Sequence, residues 1–247
     1  MFIDNHCHIN SLSKRDFLKT AEIKNFLFVD VSIDYETSLL SLEISSQNSF
    51  VYSCLGFHPS KGKFFKKEIL NSYERFIQDN REKVIGIGEI GLDYKAEIDS
   101  HSQIEILSSF IDLAKRFNLP LMIHNRWRSD LILDILDSYF TSYNRIIFHC
   151  FSQDISFLEK VLKKDGWISF SLSLLKRKSL EEILKNVPLE NLLLETDSPY
   201  IFWEGRPSSP LDIKKIYEFV SSQKNINMER LTSQICYNFK KIYQRDV

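Results

Sequence analysis

Eight short runs rich in β-branched, aromatic and leucine side chains recur along the chain. They lie at Phe2–His6, Phe26–Ile33, Phe50–Phe57, Val84–Glu89, Pro120–His124, Arg145–Cys150, Trp167–Ser171 and Leu192–Glu195. Each is nearly continuous rather than alternating, the pattern of parallel strands buried on both faces. Segments with helical spacing separate them, roughly Asp16–Ile23, Tyr35–Ser46, Lys67–Asn80, Ser102–Asn118, Arg128–Tyr139, Ile155–Lys164 and Leu180–Asn186, with Leu211–Ser221 and Met228–Tyr243 in the tail. The clearest is Ser102–Asn118, where Leu107, Phe110, Ile111, Ala114 and Phe117 trace one stripe, Asp99 or Ser100 caps the start and Pro120 follows the end. Eight strand–helix alternations predict an α/β chain folded as a single (β/α)8 TIM barrel, with an active site at the C-terminal ends of the strands. An open doubly wound sheet is the alternative, but no glycine-rich dinucleotide fingerprint follows any strand.

The residues that end these strands carry the chemistry. His6 and His8, two apart at the end of the first run, project to the same side of an extended strand. His58 follows the third run, Glu89 ends the fourth, His124 the fifth and His149 the sixth, and Asp197 follows the eighth. In a barrel all of these face one mouth. Four histidines, a glutamate and an aspartate suit two divalent metal ions sharing a bridging carboxylate. Histidine-rich ligation favours Zn²⁺ or Mn²⁺ over Mg²⁺, which prefers oxygen. Such a pair of ions suits phosphodiester hydrolysis, with Asp197 both ligand and acceptor of a water proton. Arg126, two residues past His124, is placed to clamp a phosphate.

Composition narrows the function further. A net charge of −1 gives no global basic field, so any phosphate-binding surface is local. Lys61, Lys63, Lys66, Lys67, Arg128, Lys176, Arg177 and Lys178 all follow strand ends and are candidates for such a rim, and Phe64, Phe65, Tyr94, Trp127 and Trp203 are candidates to stack on bases. The four cysteines are scattered, with no C-x-x-C pair, as in a reduced cytoplasmic protein. No signal-peptide pattern and no membrane-length apolar run are evident. One domain spanning 1–247, monomeric and without a membrane partner, is the expectation.

Six stretches together resemble the TatD family of metal-dependent deoxyribonucleases, within the amidohydrolase-like barrels. They are Ile3-Asp4-Asn5-His6-Cys7-His8, Gly56-Phe57-His58-Pro59, Gly88-Glu89-Ile90-Gly91-Leu92-Asp93-Tyr94, Leu119–His124, His149-Cys150-Phe151-Ser152 and Leu194-Glu195-Thr196-Asp197-Ser198-Pro199-Tyr200. The resemblance implies two metals, one held by His6, His8 and Asp197 and the other by His124 and His149, with Glu89 bridging. It implies that His58 contacts substrate phosphate and takes part in catalysis. It also implies a 3′-to-5′ exonuclease acting on single-stranded DNA ends.

Three departures bear on substrate. Gln153 and Leu172 stand where the family usually has glycine, and Arg206, in a shortened loop after Pro199, takes the part of a family arginine without the glutamate that normally follows. They leave open another ester substrate within the family: RNA, an aminoacyl-tRNA or a small phosphodiester. Carbon–nitrogen hydrolases of the same superfamily often bridge their metals with a carboxylated lysine, and Val84–Leu92 contains none. PHP-type phosphoesterases share the opening motif but do not account for Gly88–Tyr94 or Thr196–Pro199. A non-catalytic, metal-stabilised binding protein is the contrasting class.

Overall fold

A computed structural model describes residues 1–13, 16, 20, 24–127 and 130–246. Strands β1 (Phe2–Cys7), β2 (Phe26–Val31), β3 (Val51–Leu55), β4 (Val84–Asp93), β5 (Leu121–Arg126), β6 (Ile146–Phe148), β7 (Trp167–Phe170) and β8 (Leu192–Leu194) form one parallel sheet in sequence order. Helices α1 (Tyr35–Gln47), α2 (Leu70–Asp79), α3 (Ser100–Phe117), α4 (Leu131–Tyr139), α5 (Ile155–Leu162) and α6 (Lys178–Asn186) alternate with the strands from β2 onward. Two more, α7 (Ile213–Gln223) and α8 (Met228–Tyr243), follow β8, after a two-stranded hairpin of β9 (Phe202–Trp203) and β10 (Arg206–Pro207). Most of the helix expected at Asp16–Ile23, and Arg128, lie outside the described residues. No helix among the described residues is long and apolar enough to cross a membrane.

The continuous apolar runs have the predicted cause. All six residues of β2 and all ten of β4 are buried, one face in the barrel and the other under helices. β4 outruns its expected end at Glu89, because Ile90 and Leu92 extend the buried pattern and pair with Ile123 and Asn125 on β5. Gly91 makes that pairing feasible: a Cβ there would lie 1.8 Å from the His124 carbonyl oxygen, and φ is +153°. This close approach sets His124 against Glu89.

The barrel closes through side chains as well as backbone. Asp4 of β1 accepts from the Thr196 amide at 2.9 Å and from its hydroxyl at 2.6 Å. The Asp197 amide donates to the His6 carbonyl at 2.9 Å, and the His8 amide to that of Ser198 at 2.7 Å. This seam sets the residues after β8 beside the two histidines of β1. Burial pushes the Asp4 carboxyl well above its ordinary range, against the hydrogen bonds from Thr196.

Helix ends follow simple capping chemistry. Asp99 caps α3 by accepting from the Ser102 amide, and Asn118 ends the helix in the left-handed region at φ 54°. α1 is the exception to apolar helix packing. It meets β3 through Ser41 and Ser45, which hydrogen-bond to Ser53, and its Ser38 bonds to Tyr73 of α2.

Candidate metal centre at the C-terminal mouth

The six side chains expected to bind metal converge, from β1, β4, β5, β6 and the loop after β8, on one buried point. The Nε2 atoms of His6 and His8 lie 3.0 Å apart. Glu89 Oε2 is 3.6 and 3.7 Å from these nitrogens, and Asp197 Oδ1 is 3.7 and 3.5 Å from them. The other Glu89 oxygen, Oε1, faces His124 Nδ1 at 2.6 Å and His149 Nε2 at 2.8 Å, and those two nitrogens are 3.2 Å apart. One carboxylate thus presents one oxygen to each of two donor groups.

These sets fit divalent metals. Ligands at about 2.1 Å from a tetrahedral ion stand roughly 3.4 Å from one another. The first set brackets that spacing and the second is somewhat tighter. Nitrogen donors joined by carboxylate oxygens match Zn²⁺ or Mn²⁺ chemistry.

The far nitrogens of the four imidazoles are also held. His8 Nδ1 donates to the Val31 carbonyl at 2.8 Å, and His6 Nδ1 lies 2.8 Å from the Met122 thioether. His124 Nε2 and His149 Nδ1 instead meet the carboxylates of Asp93 and Glu195, each at 3.2 Å. Glu195 also accepts from the Cys150 amide at 2.7 Å. Such partners orient a ligand ring and choose which nitrogen faces the metal.

Charge is balanced accordingly. Burial would raise the Glu89 carboxyl, but attraction to the surrounding imidazoles, His149 foremost, and the hydrogen bonds of His124 and His149 hold it well below its usual range. Burial and repulsion from His149 keep His6 neutral, the form that binds metal. Burial likewise opposes a proton on His149, yet the Glu89 charge and hydrogen bonds to Glu195 and Glu89 make that ring strongly basic. The two loops that complete the site carry strained backbone, Cys150 at φ 43° and Asp197 at φ 53°.

The donors floor a cavity of about 630 Å³, rimmed by Lys61, Lys95, Arg126, Arg177 and Tyr200. His58 lies on its wall. Its Nδ1 accepts from the Ser60 amide at 3.0 Å, which assigns the proton to Nε2, 3.4 Å from Glu89 Oε1. Burial lowers the His58 pKa to about 3, despite the nearby Glu89 charge, so the ring is neutral. Arg126 stands at the rim with Nη1 3.4 Å from Asp93 Oδ2 and about half of its side chain exposed.

Arg206 is a correction to the substrate-binding set. Its guanidinium forks onto both oxygens of Asp212, at 2.8 and 2.9 Å, and it lies outside the cavity lining. In the shortened loop the arginine finds an acid six residues on, and it braces the hairpin against the start of α7. Other rim candidates divide. Lys63 pairs with Glu97 and Lys176 bonds the Phe202 carbonyl, whereas Arg177 and Lys61, the latter paired with Asp34 at 3.2 Å, reach the cavity. Phe65, Trp127 and Trp203 pack against the core, while Phe64 and Tyr94 are exposed. Gln153 donates to the Asn125 carbonyl at 2.9 Å, tying the loop after β6 to the end of β5, and Leu172 is wholly buried.

Sequence reasoning gave no role to Asp93 or Glu195. A signal existed: each is an acid at a strand end, two to four residues from a recognised ligand.

Residues 3–244 match the family described as TatD related DNase. The chain belongs to that family. A TatD-family relative, an uncharacterized metal-dependent hydrolase of Methanocaldococcus jannaschii, is 29% identical over 99% of this chain and 97% of its own. Among solved structures, the TatD homolog YjjV of Escherichia coli superposes with a TM-score of 0.87 at 20% identity, covering 99% of this chain and 98% of that one. A TatD family hydrolase of Entamoeba histolytica gives 0.86 at 20% identity, over 98% of this chain and 97% of that one. These structures share the barrel, and the family match makes this chain a metal-dependent hydrolase of the TatD family.

Proposed function

We propose that the chain is a deoxyribonuclease that trims single-stranded DNA from its 3′ end, acting as a monomer on phosphodiester bonds with two divalent ions. The observation that carries the reading is Glu89, whose two oxygens face two separate donor groups beneath a cavity with a basic rim. His6, His8 and Asp197 would hold one ion and His124 and His149 the other, with Glu89 between. When bound, such ions supply Lewis acidity toward water and a phosphoryl oxygen.

The chain's own residues then divide the remaining work. Asp197, whose side chain is 16% exposed against 5% for Glu89, is the carboxylate open enough to accept a proton from attacking water. His58 offers an Nε2–H to a phosphoryl oxygen entering over Glu89. Arg126, Lys61 and Arg177 hold the phosphate chain electrostatically. Tyr94 and Tyr200, more than half exposed in loops after β4 and β8, offer aromatic faces to bases, Tyr200 while packed edge-on against His8 at 4.7 Å.

A second reading within the family keeps the chemistry and changes the substrate to RNA, an aminoacyl-tRNA or a small phosphodiester. Gln153 favours it, because its bond to Asn125 fills a position where a glycine would leave room for substrate backbone.

The test is degradation of 5′-end-labelled single-stranded DNA by protein given Mn²⁺, Mg²⁺ or Zn²⁺, beside the Glu89→Ala, Asp197→Asn variant. A ladder shortening from the 3′ end, absent with the variant, is expected. An intact oligonucleotide under every metal would overturn the deoxyribonuclease assignment and direct the assay to the other esters. Bound metal without turnover of any of them would mark a non-catalytic binder.

A further inference from the structure

The opposite, N-terminal mouth of the barrel holds a second cavity of about 320 Å³. It lies where α2 and α3 end, where β4 and β6 begin, and where the chain leaves α8. Three arginines line it, Arg81, Arg145 and Arg245, with Glu82 as the acid among the lining residues. Three other arginines find acids: Arg116 pairs with Glu74, Arg126 with Asp93 and Arg206 with Asp212. Among the described residues, these three have no carboxylate within ion-pair distance.

Their hydrogen bonding is also incomplete. Arg145 gives Nη1 to Asn118 Oδ1 at 2.8 Å, and Arg245 gives one Nη to the Arg81 carbonyl. The Nε atoms of Arg145 and Arg245 are buried and have no acceptor. Arg81 is held over the Phe117 ring, 5.6 Å from its centre. Arg81 is exposed, but Arg145 and Arg245 are partly buried, and partly buried, unpaired positive charge is costly and is normally compensated. Burial accordingly weakens the hold of Arg145 on its proton.

We propose that this cavity binds a phosphate group, as a phosphate monoester or free phosphate, through Arg81, Arg145 and Arg245. Such a ligand brings negative charge to three guanidinium groups without an acid partner and acceptor oxygens to the two buried Nε–H groups without one, and Arg is the side chain whose fork matches phosphate geometry. The helices that end here, α2 and α3, present carbonyl ends, which disfavour an anion. Attraction must therefore come from the guanidinium groups, so removing two of them should weaken the site.

The full, metal-loaded chain would be titrated calorimetrically with inorganic phosphate, beside Glu89→Gln and Arg81→Gln, Arg245→Gln variants. Two classes of site are expected in the wild type. Glu89→Gln removes the one at the metal centre, and the arginine pair weakens the other by about tenfold or more, the scale of one charge-assisted hydrogen bond. A single class, lost with Glu89→Gln and untouched by the arginine pair, would overturn the proposal. Should the arginine variant prove unstable, Arg145→Lys and the rise in melting temperature with phosphate provide a second readout. Arginines that only cap helix ends would lower the melting temperature and leave its phosphate-dependent rise unchanged, which also overturns the site. Competition then separates sources: a nucleoside monophosphate matching inorganic phosphate identifies a free ligand, and preference for a 5′-phosphorylated oligonucleotide identifies a polymer end.

Discussion

His8 and His6 rest their far nitrogens on the Val31 carbonyl and the Met122 thioether, whereas His124 and His149 rest theirs on the carboxylates of Asp93 and Glu195. Both pairs face the same Glu89. The β1 half gains its additional negative charge directly, from Asp197 beside the two nitrogens. In the β5–β6 half that charge arrives one bond further out, through the imidazole rings. A carboxylate behind a histidine raises its basicity and its strength as a ligand, while leaving the inner coordination positions free. On the proposed reading, the comparison gives the halves different tasks. The β5–β6 half is suited to hold an ion and the β1 half to offer an exposed carboxylate to the reaction.

The largest effect should come from the residue both halves share. Glu89→Ala should remove the second metal equivalent and lower turnover by roughly 10⁴-fold, the scale of losing an essential catalytic group. Metal content by atomic emission, together with the labelled-strand assay, checks this. A variant that kept two equivalents would break the bridging role. Next come the separate halves. His149→Ala should lose one metal equivalent, whereas Asp197→Asn should keep more metal than activity, since the amide still coordinates through oxygen but cannot take a proton. Equal losses of metal and turnover in both would dissolve the distinction between the halves.

The outer carboxylates sharpen the same contrast at smaller scale. Glu195→Gln and Asp93→Asn should each weaken binding at one of two metal equivalents by about 10–100-fold, the usual cost of an outer-shell change, and leave the other equivalent unaltered. A chelator competition with Zn²⁺ reads both affinities. Weakening of both sites together would show that the carboxylates support the fold rather than one half.

How far this was legible in the sequence follows from the physics of each signal. Parallel strands covered on both faces leave continuous apolar runs, so all eight were visible, and the candidate ligands at strand ends came with them. The end of β4 was misplaced because Gly91 interrupts the apolar run at the point where the backbone of β5 comes closest. Asp93 and Glu195 carried no role because an acid beside a ligand acquires meaning only from the ring nitrogen it meets, and that depends on neighbouring strands. Arg206 was misassigned for the same reason. Its partner Asp212 is six residues away, at a spacing no regular element makes adjacent, and only the hairpin brings the two together.

The smallest contrast is between two arginines once given one role. Arg126 stands at the cavity rim, half exposed, its only ion pair among the described residues a 3.4 Å contact to a carboxylate already engaged by His124. Arg206 is committed to Asp212 through two short hydrogen bonds. Surface ion pairs are individually weak, but a two-point guanidinium fork on a nearly buried acid is worth about 1–3 kcal/mol. Arg206→Ala should therefore lower the melting temperature by a few degrees and leave KM for an oligonucleotide within about twofold, because nothing facing the cavity has changed. Arg126→Ala should do the reverse. It should raise KM by roughly tenfold with kcat little altered, since a rim contact to phosphate binds ground and transition states alike. A KM defect in Arg206→Ala with unchanged stability would mean that the hairpin opens and turns its arginine to the substrate.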